Sequence, residues 1–215
     1  MLRDAIRLIA AALCCERKKT EFTVTPDPAL GRAVELVLQL TGRVEISSNG
    51  TVLLDPPVRS PRRAMLRFTS LPKELFYLFA GVAAKLDGIL QVGEVEGGVT
   101  REELQALSNA MGGVLAFSQT AGGVMLTAFS GPDGFDAGAE FPPAFAAGVL
   151  LGAALAEAIT AFTPGEYAET QEVRWALEAL KEFGCPVKEL KGRVTVNTLK
   201  NRFDTAGGKR IRKKN

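Results

Sequence analysis

Three glycines recur in this chain at a spacing of 71 residues, and each follows a segment with helical periodicity. They are Gly42, Gly113 and Gly184, found in ALGRAVELVLQLTGRVEI, REELQALSNAMGGVLAF and QEVRWALEALKEFGCPVKEL. Glycine suits the left-handed residue that ends many helices, because it has no Cβ. A fixed period of this length indicates supersecondary units that pack on one another rather than independent domains.

A second set of landmarks has the same offset. Pro72 and Pro143 fall together at the start of apolar runs, where proline suits the first helical turn. Ala10, Gly81 and Gly152 also fall together, inside those runs. Two sets of landmarks at one period predict a threefold repeat.

Each unit shows the pattern β-α-β-α-β-β, with an apolar first helix and an amphipathic second helix. In the second unit, for example, MLRFT, GILQV, VLAFSQ and VMLTA are the predicted strands. The units cover residues 1–56, 64–128 and 133–197 of one lobe, and residues 198–215 form a basic, flexible tail. The predicted fold class is α+β, with the first helices inside and the sheets outside. The first unit lacks its opening strand, so we expect the C-terminal segment or another chain, as in a homodimer, to fill the open edge.

The most apolar stretch, EFPPAFAAGVLLGAALAEA, is predicted to be a buried helix. The predicted helix, Pro142–Ala158, reaches a charge at Glu157 and is shorter than a clean membrane span, and its counterparts in the other units carry more charge. The apolar run Leu8–Leu13 near the start is also too short for an export signal. We therefore expect no membrane segment and a cytoplasmic protein.

The residue types exclude several kinds of chemistry. The chain has no histidine and three cysteines, Cys14, Cys15 and Cys185, without a CxxC pair. Nucleophile–histidine catalysis, a zinc site and a disulfide framework are therefore not expected. We predict no catalytic residue, no metal and no cofactor. Trp175, on a second helix, is expected to belong to the core.

The basic residues concentrate at the C terminus. From Lys200 onward there are seven basic residues and one acid, so this tail carries about +6 while residues 1–199 carry about −4. The linker PPVRSPRRA is also basic. Nucleic acid is a possible partner for such segments. Neither segment interleaves aromatic residues with its charges, which favours a solvated linker and tail instead.

The threefold pattern with buried first helices resembles one lobe of the enolpyruvate transferases, the family of EPSP synthase, whose architecture RNA 3'-phosphate cyclase shares. The likeness is strongest in FPPAFAAGVLLGAALAEAITAF and RWALEALKEFGCPV and extends over about residues 1–197. Those enzymes have two lobes of three units, with the active site in the cleft between the lobes. The resemblance therefore implies a half-size relative.

The positions that carry function in that family differ here. Its Ser-Lys-Ser phosphate loop has no counterpart, and Arg3 stands near the arginine that follows that loop. Ser70-Leu71-Pro72-Lys73 replaces an Asn-x-Gly-Thr loop, and Phe76 replaces a helical arginine. The arginine that begins the second helix of that unit falls within one position of Arg101. In the third unit, Pro142-Pro143-Ala144 replaces Ser-Ser-Gln.

Three functions are compatible with these losses. The favoured one is a pseudoenzyme that binds an anionic small molecule or a protein partner through the helix N-terminal face. The alternatives are an active transferase assembled from two lobes, and a nucleic-acid-associated module. The candidate ligand-binding residues are Arg3, Ser70, Lys73, Thr100 and Arg101. The three cations among them lie in first turns of helices, where a positive charge opposes the helix dipole and suggests a functional reason. The competing interpretation is solvated surface charge, with capping at Thr100.

Overall fold

The structure is a computed structural model that describes residues 2–14, 20–41, 44–54, 63–112, 114–129, 134–136, 142–155, 160–163, 169–190 and 193–196. The helices are α1 (Leu2–Cys14), α2 (Pro28–Thr41), α3 (Lys73–Lys85), α4 (Arg101–Ala110), α5 (Pro143–Ala153) and α6 (Gln171–Glu182). The strands are β1 (Thr20–Thr23), β2 (Val44–Ile46), β3 (Thr51–Leu54), β4 (Met65–Pro72), β5 (Ile89–Glu96), β6 (Leu115–Thr120), β7 (Gly123–Ala128), β8 (Gly134–Asp136), β9 (Thr160–Thr163), β10 (Val187–Leu190) and β11 (Arg193–Val196). Helices and mixed sheets together confirm the α+β class. Among the described residues, no helix combines the length and the apolar character that crossing a bilayer requires.

The strands form three sheets with a common order. The second sheet is β4-β5-β7-β6 and the third is β8-β9-β11-β10, and in each the first two strands are parallel while the others pair antiparallel. The described part of the first sheet is β1-β3-β2, entirely antiparallel. These described strands have the same order without a parallel first strand.

Strand β8 is the opening strand that the repeat predicts for the third unit, although no residues were assigned to it from the sequence. It comprises only Gly134–Asp136 and lies in the glycine-rich stretch GPDGFDAG. Its three residues pair in parallel with β9. Three residues are too few for an alternating pattern to stand out, so tertiary pairing rather than local sequence specifies this strand.

The first helices lie in the interior. Every residue of α5 from Ala144 to Ala153 is buried, and α3 is buried from Leu75 to Lys85. The exposed positions of α1 lie in its first six residues, and the strands bury alternate side chains toward the helices. The prediction that the apolar stretch forms a core helix is confirmed, although α5 begins one residue later than expected. Its predicted end, Ala158, lies outside the described residues.

Helices α3 and α5 pack in parallel with almost no space between their backbones. Leu78 of α3 faces Gly148 of α5, and further along both helices Lys85 faces Gly152. The facing residues advance in the same direction along the two helices, as parallel packing requires. A β carbon added to Gly81 would lie 2.7 Å from the backbone nitrogen of Val149. Small residues are required wherever helix backbones approach this closely. The glycines that mark the repeat inside the apolar runs therefore have a packing role.

Of the three glycine landmarks at the helix ends, Gly184 is the one among the described residues. Gly184 has a φ of 79° directly after the C-cap of α6, as predicted. After α4, Gly112 directly follows the C-cap Met111 and has a φ of 67°. Adjacent glycines are equally free to adopt this conformation, so the sequence alone does not select between them. Gly42 and Gly113 lie outside the described residues.

Strand β4 is an edge strand whose outer side is covered by α2. The Gln39 side chain donates a hydrogen bond from Nε2 to the Arg67 carbonyl oxygen at 3.1 Å, and its Oε1 accepts from the Arg67 N–H at 2.7 Å. One amide thus satisfies both peptide groups that Arg67 directs away from β5. Covering an edge in this way protects it from pairing with another chain.

Candidate functional site

The five residues that the sequence singles out lie in three separate places. Arg3 lines a groove between α1, β1 and α6. Ser70, Lys73 and Thr100 belong to a set of polar contacts among the starts of α2, α3 and α4. Arg101 lines a cleft between α4 and β6. The groove and the cleft share no lining residue, so the structure does not bring these residues into one site.

The starts of α3 and α4 are joined by an ion pair. The parallel register of β4 and β5 pairs Pro72 with Glu96, which brings the two helix starts side by side. Lys73 Nζ lies 2.7 Å from Glu103 Oε1. Glu103 Oε2 also accepts the backbone N–H of Thr100 at 2.7 Å, and the Thr100 hydroxyl accepts the N–H of Glu103 at 3.2 Å. This capping box confirms the capping role predicted for Thr100.

Tyr77 lies one turn after Lys73, beside the same carboxylate. Only 5% of Tyr77 is exposed. Its buried hydroxyl oxygen has no partner at hydrogen-bonding distance and angle among the described residues. Burial, followed by the nearby charge of Glu103, raises the pKa of Tyr77 well above its ordinary value. The phenol is neutral at physiological pH, as an ordinary tyrosine is, and the raised pKa keeps it neutral in more alkaline solution as well.

The side chain of Ser70 is reached by α2. Arg32 donates from Nη2 to the Ser70 hydroxyl at 3.3 Å, and its Nη1 lies 2.9 Å from Glu35 Oε1. Arg32 and Lys73 are thus each paired with a carboxylate of this chain. An external anion at this face would have to compete with Glu35 and Glu103.

The groove that contains Arg3 has a volume of about 460 Å³, and we call it the β1 groove. Its lining includes Arg3, Asp4, Arg7, Thr23, Trp175, Glu178 and Glu182. Trp175 packs against the core, as expected, and also contributes to the wall of the groove. Two basic and three acidic side chains line it, which makes it a mildly acidic surface.

Side chains of α1 bond the outer edge of β1. Arg7 donates from Nε to Glu182 Oε2 at 2.9 Å and from Nη1 to the Thr23 carbonyl oxygen at 2.6 Å. The carboxylate of Glu182 raises the pKa of Arg7 beyond its already high value. The backbone N–H of Thr25 donates to Asp4 Oδ2 at 2.9 Å. The edge that we expected to be open is therefore partly occupied by helix side chains.

The cleft between α4 and β6 has a different character. It has a volume of about 610 Å³ and is lined by Arg101, Gln105, Ser108, Phe117 and Gln119 together with buried leucines. Ser108 fixes α4 to β6 by donating to the Leu115 carbonyl oxygen at 2.6 Å. The lining contains no acidic residue, and among the described residues Arg101 has no ion-pair or hydrogen-bond partner. We call it the α4–β6 cleft.

No metal centre was predicted. In the described ranges, no cluster of three or more His, Cys, Asp or Glu side chains is placed to hold a metal ion. Cys14 and Cys185 are buried and not disulfide-bonded.

Sequence reasoning missed the residues that pair with the candidates. Glu103 was assigned only to a helix entry, and neither Arg32 nor Arg7 was singled out. Lys73 and Glu103 are 30 positions apart, and Arg7 and Glu182 are 175 apart. The Thr-x-x-Glu spacing identifies the capping box, but no local signal identifies an ion pair between helices.

Neutralising Glu103 should change the pH dependence of stability. The hydrogen bond from Lys73, followed by that from the Thr100 backbone, lowers the pKa of Glu103 in the folded protein. Its stabilising effect is thus fully present above the unfolded pKa of about 4.3 and is lost as the pH falls through the lower folded pKa. Glu103→Gln keeps the capping interaction but removes the charge. The melting temperature of the wild type should exceed that of Glu103→Gln at pH 7, and the difference should shrink below pH ~4.

The exposed neighbour Glu102 supplies the control for this measurement. Glu102→Gln removes the same charge without removing a carboxylate bonded to Lys73. A Glu103→Gln difference that stays constant from pH 7 to pH ~3 would show that the ion pair does not stabilise the fold.

Comparison with known proteins shows which solved structures share this fold. No protein-family model and no curated protein sequence matches the chain. Two structures of EPSP synthase from Acinetobacter baumannii match with TM-scores of 0.60 and 0.62 at 15% and 14% identity, covering 91% of this chain and 45% of theirs. The enolpyruvyl transferase NikO from Streptomyces tendae matches with a TM-score of 0.51 at 15% identity, over 91% of this chain and 46% of its own.

Identity this low shows the fold alone. The chain spans less than half the length of these transferases and has the fold of about half of one. The resemblance read from the sequence is confirmed at that level.

Proposed function

We propose that this chain is an EPSP-synthase-like lobe without enolpyruvyl transfer activity of its own, and that it binds an anionic small molecule in the α4–β6 cleft. One observation carries the proposal. Among the five candidates, Arg101 is the cation that lies in a cleft without an acidic lining residue. Its side chain has no ion-pair or hydrogen-bond partner among the described residues. Gln105 and Gln119 lie beside it, and Phe117 supplies an apolar wall. Each amide donates one N–H within the chain, Gln105 to Asn109 and Gln119 to the Val99 carbonyl oxygen, so each has a second N–H for a ligand.

The other cations of this face support the choice by contrast. Lys73, Arg32 and Arg7 are each neutralised by a carboxylate of the same chain. The starts of α3 and α5 are also poor phosphate sites. Their N-caps are Pro72 and Pro142, which make no side-chain cap, and Pro143 at the first turn of α5 has no N–H to donate.

Two observations support the absence of transfer activity. Enolpyruvyl transfer needs an acid and a base to move protons at the enol carbon. Glu103 is the carboxylate bonded to a candidate cation at the starts of α3 and α4, and it is held by Lys73 and by the Thr100 backbone. Phe76, at the position of a family arginine, is fully buried and contacts no open site.

Binding of anions is measured by thermal unfolding with inorganic phosphate, phosphoenolpyruvate, shikimate 3-phosphate and a UDP-sugar. A ligand at about a hundred times its dissociation constant stabilises the folded state by about 2.7 kcal/mol, which raises the melting temperature of a chain of this size by roughly 5–10 °C. We expect at least one anion to produce such a shift in the wild type and Arg101→Gln to abolish it.

The matched control is Arg67→Gln. Arg67 is an exposed arginine on β4 and lines neither the groove nor the cleft. Its loss changes the net charge equally, so the anion shift should survive. Equal loss of the shift in both variants would show that the anion responds to overall charge rather than to the α4–β6 cleft.

The length match favours a second function, an active transferase assembled from two lobes. The structural match covers 91% of this chain but only 45% of EPSP synthase. A homodimer or a separate second lobe would therefore restore the length of a two-lobed enzyme. Native mass spectrometry tests it, together with an assay of phosphate release from phosphoenolpyruvate in the presence of an acceptor hydroxyl such as that of shikimate 3-phosphate. A monomer that releases no phosphate contradicts a transferase built from two copies of this chain. The same result with no second protein co-purifying also contradicts a transferase completed by a separate lobe and leaves the binding lobe.

A further inference from the structure

Strand β6 forms one edge of the second sheet, and among the described residues no strand pairs with its outer side. The opposite edge, β4, is covered by α2 through the Gln39 amide. The sequence of β6, LAFSQT, contains no charge and no proline, the residue types that commonly protect an open edge. The two edges of this sheet thus differ, and the edge at β6 has little protection of its own.

The hydrogen bonds of β7 show which peptide groups of β6 point outward. The Ala128 N–H donates to the Gly88 carbonyl oxygen at 3.0 Å, toward β5, and the Phe129 N–H donates to the Val114 carbonyl oxygen at 3.0 Å, toward β6. Bonded and non-bonded pairs alternate along an antiparallel ladder, so the even-numbered residues of β6 bond β7. The residues whose N–H and carbonyl groups point away from the sheet are Leu115, Phe117 and Gln119.

One of these outward groups is bonded within the chain, and those of Phe117 and Gln119 are open. Ser108 of α4 donates its hydroxyl to the Leu115 carbonyl oxygen at 2.6 Å, which agrees with the outward direction. Among the described residues, the peptide groups of Phe117 and Gln119 have no hydrogen-bond partner on this side. Both residues line the α4–β6 cleft, so the open groups border the cleft itself.

The two ends of the cleft differ in chemistry. The Gln119 side chain donates to the Val99 carbonyl oxygen at 3.4 Å, two residues before Arg101, whereas Ser108 lies at the Leu115 end. Helix α4 and strand β6 therefore run in opposite directions, and Arg101 lies at the end of the cleft where β6 finishes. No acidic residue lines the cleft. A cation at one end of an open strand edge matches an extended segment that ends in a carboxylate.

The part of the cleft between these ends is apolar. Leu104 and Leu115 are buried in its floor, and Phe117 is half-buried in its wall. Every second side chain of an extended segment points to the same face, so one such side chain would pack on Phe117 and Leu104. From Leu115 to Gln119, β6 spans about 13 Å, which corresponds to about four extended residues.

We infer that the α4–β6 cleft binds the C-terminal end of an extended peptide. The peptide backbone pairs in parallel with the open edge of β6, an apolar side chain packs on Phe117, and the terminal carboxylate lies at Arg101. The inference rests on the proposed function for its site and its cation, and it names the anion as a peptide carboxylate. In this mode of recognition, main-chain hydrogen bonds supply affinity and the side-chain pocket supplies specificity.

Fluorescence anisotropy with short labelled peptides tests this binding on the full-length chain. The probe is the peptide Gly-Gly-Ser-Val-Ser-Val, labelled with fluorescein at its N terminus and free at its C terminus. We expect the C-terminal amide of the same peptide to bind about tenfold more weakly, because it lacks the charge that faces Arg101. Arg101→Gln should reduce the affinity for the free acid to that for the amide, and the control Arg67→Gln should not.

Methylation of the peptide backbone tests the pairing with β6. Methyl groups on alternate amides block the N–H groups along one edge of an extended peptide and leave the other edge intact. One alternate set should weaken binding about tenfold, and the other set should have little effect. In the protein, Phe117→Pro removes the outward N–H that Phe117→Ala retains, so the proline variant should bind the peptide more weakly than the alanine variant. If the proline variant does not fold, the methylated peptides decide the question alone.

Failure of this inference is distinguishable from failure of the proposed function. If inorganic phosphate stabilises the protein through Arg101 but the free acid binds no better than the amide, the cleft holds an anion that is not a peptide carboxylate. Equal binding of the two methylated sets would show that the peptide does not pair with β6. If neither phosphate nor peptide distinguishes Arg101→Gln from the wild type, the proposed function itself is wrong. A doubled native mass that accompanies loss of peptide binding would assign the β6 edge to a second copy of the chain and overturn the inference.

Discussion

Gly148→Ala is expected to lower the free energy of unfolding by about 3 kcal/mol and the melting temperature by roughly 6–12 °C. A β carbon at Gly148 would overlap the carbonyl oxygen of Leu78 and lie 3.0 Å from the Cα of Gly81. Both neighbours are backbone atoms of α3, so neither can move aside by a change of rotamer. The helices would have to separate, which opens space throughout the most tightly packed part of the core.

Gly31→Ala is the control for this substitution. Gly31 lies in α2, and no atom lies within 4 Å of a β carbon built at this position. Alanine is the better helix former, so this variant should be unchanged or more stable by up to about 1 kcal/mol. Thermal and denaturant unfolding of both variants measure the contrast. A Gly148→Ala protein as stable as the wild type would show that α3 and α5 do not approach as closely as described.

Phe76→Arg is expected to cost more than about 4 kcal/mol and to prevent cooperative folding. This substitution would restore the residue type that the family carries at this position. Phe76 is fully buried, and its ring contacts that of Tyr77 with centroids 5.5 Å apart. A guanidinium there would be an unpaired buried charge, which the interior does not tolerate.

Phe129→Arg makes the same change on the surface. Phe129 is 68% exposed, so this variant should differ from the wild type by less than about 0.5 kcal/mol. Circular dichroism and denaturant unfolding distinguish the two. If Phe76→Arg folds with unchanged stability, the position is open to solvent and the family site has not been replaced by core. With the expected result, transfer chemistry cannot be restored here by a single substitution.

The interior helices could be predicted from the sequence because the signal for burial is local. The stretch that becomes α5 is apolar on all sides, and an apolar helix of that kind must be covered. The start of α4 was also predictable, since Thr100 and Glu103 have the capping-box spacing. The threefold repeat stays a prediction. The strand order that the three sheets share is consistent with it.

The arrangement of the candidate site could not be predicted, because it depends on strand register. Lys73 meets Glu103 only because β4 and β5 pair Pro72 with Glu96. A shift of register would separate these residues without any change in local sequence. The first strand position of the first sheet shows the same limit of prediction from sequence. Its missing strand could be inferred from the pattern, but the hydrogen bond that Asp4 accepts from the Thr25 N–H, just after β1, could not.

The amide of Gln39 has a consequence for the solution behaviour of the second sheet. A primary amide offers one donor and one acceptor in the same plane, as a peptide group does, so Gln39 occupies the Arg67 position of β4 as a neighbouring strand would. Hydrolysis of this amide to a carboxylate during ageing would leave the acceptor but remove the donor. The Arg67 carbonyl oxygen would then face a like charge. We therefore expect deamidation of Gln39 to free this position of β4 for pairing with the edge of another chain.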